Sequence, residues 1–174
     1  NGNELILDAD ADSSITSDTD DQIDFRAGGT DVMAMSTTGL TITNASNDTQ
    51  LTLKSTDADA NVGPVLDLYR NSASPADNDR IGSVTFRGRN DNSQDVDYTV
   101  FDVFATDVSD GTEDVEFDIR TIKGGTETSS VTFLGTETVF NQASTDLDFR
   151  VESNGNANML FVNAGDDAVL VGKT

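Results

Sequence analysis

The chain has no cysteine, no histidine and no tryptophan, and only two prolines among its 174 residues. Without cysteine it can form no disulfide and carries no thiolate chemistry. Without histidine or cysteine, Ser-His-Asp and Cys-His catalytic groups and the usual zinc sites are excluded. Hydrolysis of sugars by two carboxylates stays conceivable, but 26 aspartates make chance pairs unavoidable. The sequence therefore predicts a protein that is not an enzyme, with no catalytic, cofactor-binding or metal-binding residues and no cofactor.

Positive charge is also scarce, because 10 basic residues face 32 acidic ones and the net charge is −22. Nucleic acid and anionic membrane surfaces would repel such a chain, so neither is expected as a partner. No apolar run approaches the length of a membrane span, and we expect no membrane insertion. The chain begins with Asn rather than Met and shows no signal peptide, which suggests a segment of something longer.

Apolar residues make up 35% of the chain, a low share for a globular domain, and phenylalanine is the main aromatic. One copy therefore has little material for a thick core of its own. We expect either a thin, elongated chain or a chain that buries apolar surface against other copies. The many aspartates favour turns and disfavour helices.

Short runs with a period of two dominate the sequence, and turn-type Asp, Asn, Gly, Ser and Thr clusters separate them. The runs lie at 4–8, 22–26, 32–36, 40–43, 51–55, 65–70, 83–88, 98–106, 115–122, 130–135, 147–153, 159–163 and 168–172. No run of helical length carries an apolar stripe with helical spacing. The pattern predicts an all-β fold of short antiparallel strands and turns, without helix.

The run YTVFDVFAT (98–106) places apolar groups on both faces of one strand. One face carries Tyr98, Val100, Asp102, Phe104 and Thr106, and the other carries Thr99, Phe101, Val103 and Ala105. Such a strand needs cover on two sides, and the chain has little of its own to provide it. A neighbouring copy is the expected cover, and three copies can close without an open sheet edge.

An internal repeat relates residues 23–39 to residues 147–165, with a two-residue insertion. In both stretches an aromatic–Arg strand leads through a glycine turn into a second apolar strand. We therefore predict three segments: an N-terminal β-repeat segment (1–50), a central β domain (51–141) and a C-terminal β-repeat segment (142–174).

An aromatic residue precedes Arg26, Arg70, Arg87 and Arg150, which are four of the seven arginines. Neighbours in a strand point to opposite faces, so the aromatic ring can face a core while the arginine faces outward. Plain strand patterning explains this, and pairing of the arginines with aspartates of another chain is the alternative.

Asp8, Asp10 and Asp12 are spaced like the start of an EF-hand loop. Ser13 stands where that loop needs glycine, Thr19 stands where it needs glutamate, and no helices flank the segment. A solvated turn is the better interpretation, and no metal site is predicted there.

The central stretch GPVLDLYRNSASPADNDRIGSVTFRGRNDNSQDVDYTVFDVFATDVSDGTEDVEFDI (63–119) resembles a module of tailed-phage tail fibres and tailspikes, especially those of marine phages. The flanks ITSDTDDQIDFRAGGTD (15–31) and LDFRVESNGNANMLFVNAGDDAVLVG (147–172) resemble repeats of the same fibres. The resemblance covers nearly the whole chain. One departure is SQDVD (93–97), where the family often carries a Gly-Glu pair.

The resemblance implies an elongated homotrimer, a fibre shaft of intertwined β-prism or β-sandwich type. It implies a non-catalytic structural segment of a virion tail fibre or spike that supports host attachment, located on the virion and outside the cell. The implied partners are two further copies, adjoining fibre segments or other virion proteins, and a host-surface glycan. A cellular surface adhesin, a secreted extracellular filament subunit and a polysaccharide-degrading tailspike fragment are the alternatives.

Overall fold

The computed structural model describes residues 4–172, and over these residues the fold is all-β with no helix. This confirms the all-β part of the predicted fold class. The strands are β1 (Leu5–Ile6), β2 (Ser14–Thr16), β3 (Gln22–Ala27), β4 (Thr30–Ser36), β5 (Gly39–Ile42), β6 (Asp79–Arg89), β7 (Asp95–Asp107), β8 (Asp114–Lys123), β9 (Thr126–Leu134), β10 (Thr138–Phe140), β11 (Phe149–Ser153), β12 (Asn156–Asn163) and β13 (Ala168–Val171). None of the described residues belongs to a helix that could cross a membrane.

The strands form three antiparallel sheets, each with strands that pair in chain order. The first sheet holds β1 to β5, the central sheet holds β6 to β10, and the third sheet holds β11 to β13. The repeat seen in the sequence corresponds to the hairpins β3–β4 and β11–β12. Each sheet falls within one of the three predicted segments.

The chain divides into two compact units between Leu66 and Asp67. The first unit contains the first sheet, and the second unit contains the central and third sheets. Tight turns connect β3 to β4, β4 to β5 and β8 to β9, as the glycine clusters predicted. At the β8–β9 turn, Gly124 and Gly125 have φ of 57° and 83°, a conformation that residues with a Cβ adopt at a cost.

Two predicted strands are wrong. The runs at 51–55 and 65–70 pair with no strand in the part of the chain that the structure describes. Alternation specifies an extended backbone, but a strand also needs a hydrogen-bonded neighbour, and none lies beside these runs. Most of their apolar side chains face solvent, with Leu51 60%, Val65 64% and Leu66 66% exposed.

Burial in this protein is the reverse of that in an ordinary globule. Among residues 4–172, Val100 is the only buried apolar side chain, with 5% exposed. The other buried residues are polar or charged: Ser14, Thr16, Asp24, Asp102, Asp118, Thr128 and Thr132. Large apolar groups are instead exposed on every sheet. Because globular domains bury their apolar side chains, the single chain lacks a hydrophobic core of the usual kind.

Candidate functional site

The central sheet has one apolar face and one ionic face, set by the register of its strands. Val84 lies opposite Phe101, Val103 opposite Phe117, and Phe117 opposite Phe133. Since paired residues share a face, the pattern extends across the sheet. We call this side the apolar face; it comprises Val84, Phe86, Phe101, Val103, Ala105, Val115, Phe117, Ile119, Val131, Phe133 and Phe140.

Four phenylalanines form a continuous row across the apolar face. Phe86 meets Phe101 edge to face with ring centroids 5.6 Å apart, and Phe101 meets Phe117 in the same way at 6.2 Å. Phe117 then stacks on Phe133 at 5.6 Å. These are the favourable geometries for aromatic pairs, so the row is ordered within one chain. Its outer rings are nevertheless open to solvent, with Phe86 55% and Phe133 41% exposed.

Leu68 covers one corner of the apolar face. A Cβ added to Gly82 would lie 3.3 Å from the Leu68 Cβ, so the leucine sits directly on strand β6 at a position without a side chain. Arg70 fixes this segment, because its Nη1 lies 2.9 Å from Asp79 Oδ1 and donates to the Arg80 carbonyl oxygen at 3.1 Å. An apolar groove of about 370 Å³ remains beside Leu68, with Val84, Phe101, Val103 and Phe117 in its lining.

The opposite side of the sheet, which we call the ionic face, surrounds Asp102. This aspartate is fully buried, with 0% exposed. Arg80 Nη2 donates to its Oδ2 at 2.8 Å, and the Ser83 hydroxyl donates to its Oδ1. The guanidinium carbons of Arg80 and Arg120 lie 5.4 and 5.6 Å from the ring centroid of Phe104, a distance typical of cation–π contacts. The Val100–Asp102–Phe104 side of β7 is therefore covered by arginines of the same chain.

Asp118, opposite Asp102 on β8, is the second buried carboxylate of the ionic face. It accepts hydrogen bonds from Arg120 Nε at 2.8 Å, from Ser129 Oγ at 2.6 Å and from Thr132 Oγ1 at 2.7 Å. Burial alone would raise the pKa of Asp118, but these three donors and the charge of Arg120 outweigh burial and hold the pKa below its usual value. Arg120 also contacts Asp102 at 3.7 Å and Glu127 at 3.0 Å.

These contacts limit what the paired aspartates can do chemically. A general acid needs a carboxyl group that holds its proton near neutral pH. Asp118 is ionised under those conditions because its pKa is lowered, and both aspartates are occupied by arginine and hydroxyl donors. The arrangement suits a structural lock between strands β6, β7, β8 and β9.

The flanking sheets repeat the apolar face. In the first sheet the shared face carries Leu5, Ile15, Ile23, Phe25, Met33, Met35, Leu40 and Ile42. In the third sheet it carries Phe149, Val151, Leu160, Val162, Val169 and Val171. Leu5 is 59% exposed, Leu40 57% and Val171 74%. All three sheets therefore present an uncovered apolar face.

The structure brings together the three aspartates considered for calcium. One carboxylate oxygen from each of Asp8, Asp10 and Asp12 lies within 4.8 Å of the others, in the turn between β1 and β2. The hydroxyl and amide of Ser13 lower the pKa of Asp8, and the Ser13 amide donates to Asp8 Oδ1 at 3.2 Å. The group is largely solvent-exposed, and the prediction of no metal site at this turn stands as a prediction.

Each of the four arginines that follow an aromatic residue has a carboxylate partner in its own chain. Arg26 pairs with Asp31, Arg70 with Asp79, Arg87 with Asp97 and Arg150 with Glu152. These in-chain pairs agree with plain strand patterning, and pairing of the arginines with aspartates of another chain stays a prediction.

The sequence interpretation missed the ionic face. Asp102 and Asp118 were not singled out because the chain contains 26 aspartates. A usable signal exists, because both lie in the middle of apolar runs, between Phe101 and Val103 and between Phe117 and Ile119, where turn-forming aspartates do not belong.

Comparison with protein families, with curated proteins and with solved structures finds no match for this chain.

Proposed function

We propose that this chain is a non-catalytic structural segment of a homotrimeric virion fibre and that its copies assemble through the apolar faces of their sheets. The observation that carries the proposal is the burial pattern: Val100 is the only buried apolar side chain among the described residues, although 35% of the chain is hydrophobic. Apolar burial is the dominant favourable term in folding, so a chain that leaves its apolar faces open needs another surface to cover them.

The exposed area shows how much more surface this chain leaves in water than compact globules of the same mass. The chain exposes 12949 Å². Two separate globules that share its mass of 18.5 kDa would expose about 10,000 Å² by the scaling of monomeric proteins. The excess is about 3,000 Å², well above the roughly 800 Å² that each partner buries in a standard interface. A surplus of this size is typical of chains that form obligate assemblies.

The choice of three copies and of a fibre comes from the resemblance of residues 63–119 to phage fibre modules. The sheets support assembly, because each of the three exposes an apolar face that another copy can cover. The ionic face supports a structural rather than a catalytic function, since Asp102 and Asp118 are held by arginines. In this proposal, the chain is a spacer that carries an attachment tip.

Electron microscopy with antibodies raised against the purified chain tests the function. We expect the label on appendages of virus particles from the source of the sequence. Label on the surface of uninfected cells would instead indicate a cellular adhesin. Release of oligosaccharides from host capsule by the purified protein would contradict the non-catalytic function.

A further inference from the structure

We infer that the apolar face of the central sheet is an interface between copies and that the groove beside Leu68 receives an apolar side chain from a second copy. This inference deepens the proposed function, on which it rests, by assigning the contact to the central sheet and to the groove on its apolar face. It also distinguishes the two sides of one sheet: the apolar face is buried between copies, and the ionic face is completed within each chain.

The first argument is the amount of apolar surface. Phe86, Val84, Val115, Phe133 and Phe140 are each between 41% and 55% exposed. With roughly 200 Å² for a whole phenylalanine and somewhat less for a valine, the face leaves on the order of 500 Å² of apolar surface open. A patch of this size lies at the upper end of the range for monomeric proteins, where the largest apolar patch is often a binding surface. The area is a large part of the roughly 800 Å² that one side of a standard interface buries.

The second argument concerns the occupant. The middle of the apolar face carries no ionisable side chain, although the whole chain carries a net charge of −22. Ionisable groups lie at its margins: Asp79, opposite Ala105, is paired with Arg70, and Lys123 ends strand β8. The negative charge that would attract a basic partner therefore lies elsewhere on the surface. A second copy brings an apolar face of the same size and the same chemistry, and it leaves the acidic groups of both copies away from the contact. A contact between identical copies thus covers the exposed apolar face of every copy at once.

The third argument is the different state of the two faces. On the ionic face, Arg80 donates a hydrogen bond to Asp102 and Arg120 donates one to Asp118. Val100 is buried within the same chain. On the apolar face, Leu68 covers only one corner, and the groove beside it stays open. Fixed aromatic contacts between Phe101 and its neighbours keep the floor of this groove in place. A preformed apolar groove of this kind gains binding free energy from an inserted apolar side chain.

Two neighbouring positions on strand β6 allow a matched test. Val84 and Thr85 are both exposed in the single chain, but Val84 lies opposite Phe101 on the apolar face and Thr85 lies opposite Val100 on the ionic side. The chain has no cysteine, so Val84→Cys and Thr85→Cys each introduce the only thiol. The experiment measures the rate of maleimide modification of each variant at micromolar concentration, after native mass has established its assembly state. The same rates are measured in guanidinium chloride as the unfolded reference.

We expect the thiol at position 84 to react at least ~10-fold more slowly than the thiol at position 85 in the assembled protein, and both to react at the same rate when unfolded. Equal rates at the two positions in an assembled protein would overturn the inference and leave the proposed function intact. A wild-type chain that is folded and monomeric would overturn both. Loss of assembly in Val84→Cys but not in Thr85→Cys would support the inference by another route.

Discussion

Replacement of Arg120 by methionine tests whether the ionic face holds the central sheet together. The side chain of Arg120 is 25% exposed and lies among three carboxylates: Asp118 at 2.8 Å, Glu127 at 3.0 Å and Asp102 at 3.7 Å. Methionine keeps much of the apolar stem of arginine but removes the charge. Asp102 keeps Arg80 as a partner, whereas Asp118 loses the one charged partner it has among residues 4–172 and stays buried.

The expected loss of stability follows from the uncompensated charge on Asp118. Removal of one partner of a buried ion pair costs about 3–5 kcal/mol, and we expect about 3 kcal/mol per chain because a quarter of Arg120 is in water. For a chain of this length, that loss lowers the melting temperature by on the order of 10 °C. Arg120→Lys should fall between Arg120→Met and wild type, because one ammonium cannot reproduce the planar fork that spans these carboxylates.

Thermal unfolding at a fixed chain concentration checks this prediction, since association also contributes to stability. Arg89→Met is the matched control, because Arg89 and Asp95 form an ion pair on the same sheet with side chains 71% and 63% exposed. We expect that control to stay within about 1 kcal/mol of wild type. Equal melting temperatures for Arg120→Met and Arg89→Met would refute the structural importance of the ionic face.

Three further predictions concern pH, salt and metal. Because the pKa of Asp118 is lowered, its ionised form stabilises the fold at pH values above the unfolded-state pKa of about 3.9. This contribution is lost as the pH falls from about 4 toward the folded-state pKa. The melting temperature should therefore drop between about pH 5 and pH 3, and it should drop less in Asp118→Asn. An identical acid response of the variant would contradict the assignment. Because a net charge of −22 repels itself, more so in adjacent copies, the melting temperature should rise with NaCl, and a flat or falling curve would exclude this effect. Chelator should leave the fold intact; unfolding by EDTA would mean that Asp8, Asp10 and Asp12 hold a structural cation after all.

The fold class follows from the sequence because strand periodicity is a local property. The alternation in 98–106 predicted strand β7 (Asp95–Asp107), and the glycine pair at 124–125 predicted the turn after β8. The backbone alone fixes these features, since side chains alternate with period two and positive φ favours glycine. The short strands β2 (Ser14–Thr16) and β10 (Thr138–Phe140) were missed, because three residues are too few to show a period.

Pairing and burial are tertiary properties, and here the sequence was less informative. The runs at 51–55 and 65–70 alternate as well as any strand, yet their partners are absent from the described part of the chain. For YTVFDVFAT, both faces of the strand do carry large apolar groups. On the Val100 side, Arg80 and Arg120 cover Phe104 and Asp102 from within the chain, a cover that the sequence pattern did not predict. Only the Phe101 side stays open.

Native mass or sedimentation of the purified chain at micromolar concentration tests the central claim most directly, namely that the apolar faces are covered by other copies. The proposal predicts a single species of three chains, which at 18.5 kDa each gives about 55 kDa. Dilution should lead to loss of folded structure together with dissociation, because obligate oligomers often have no stable folded monomer. A folded, stable monomer of 18.5 kDa at micromolar concentration would contradict the claim.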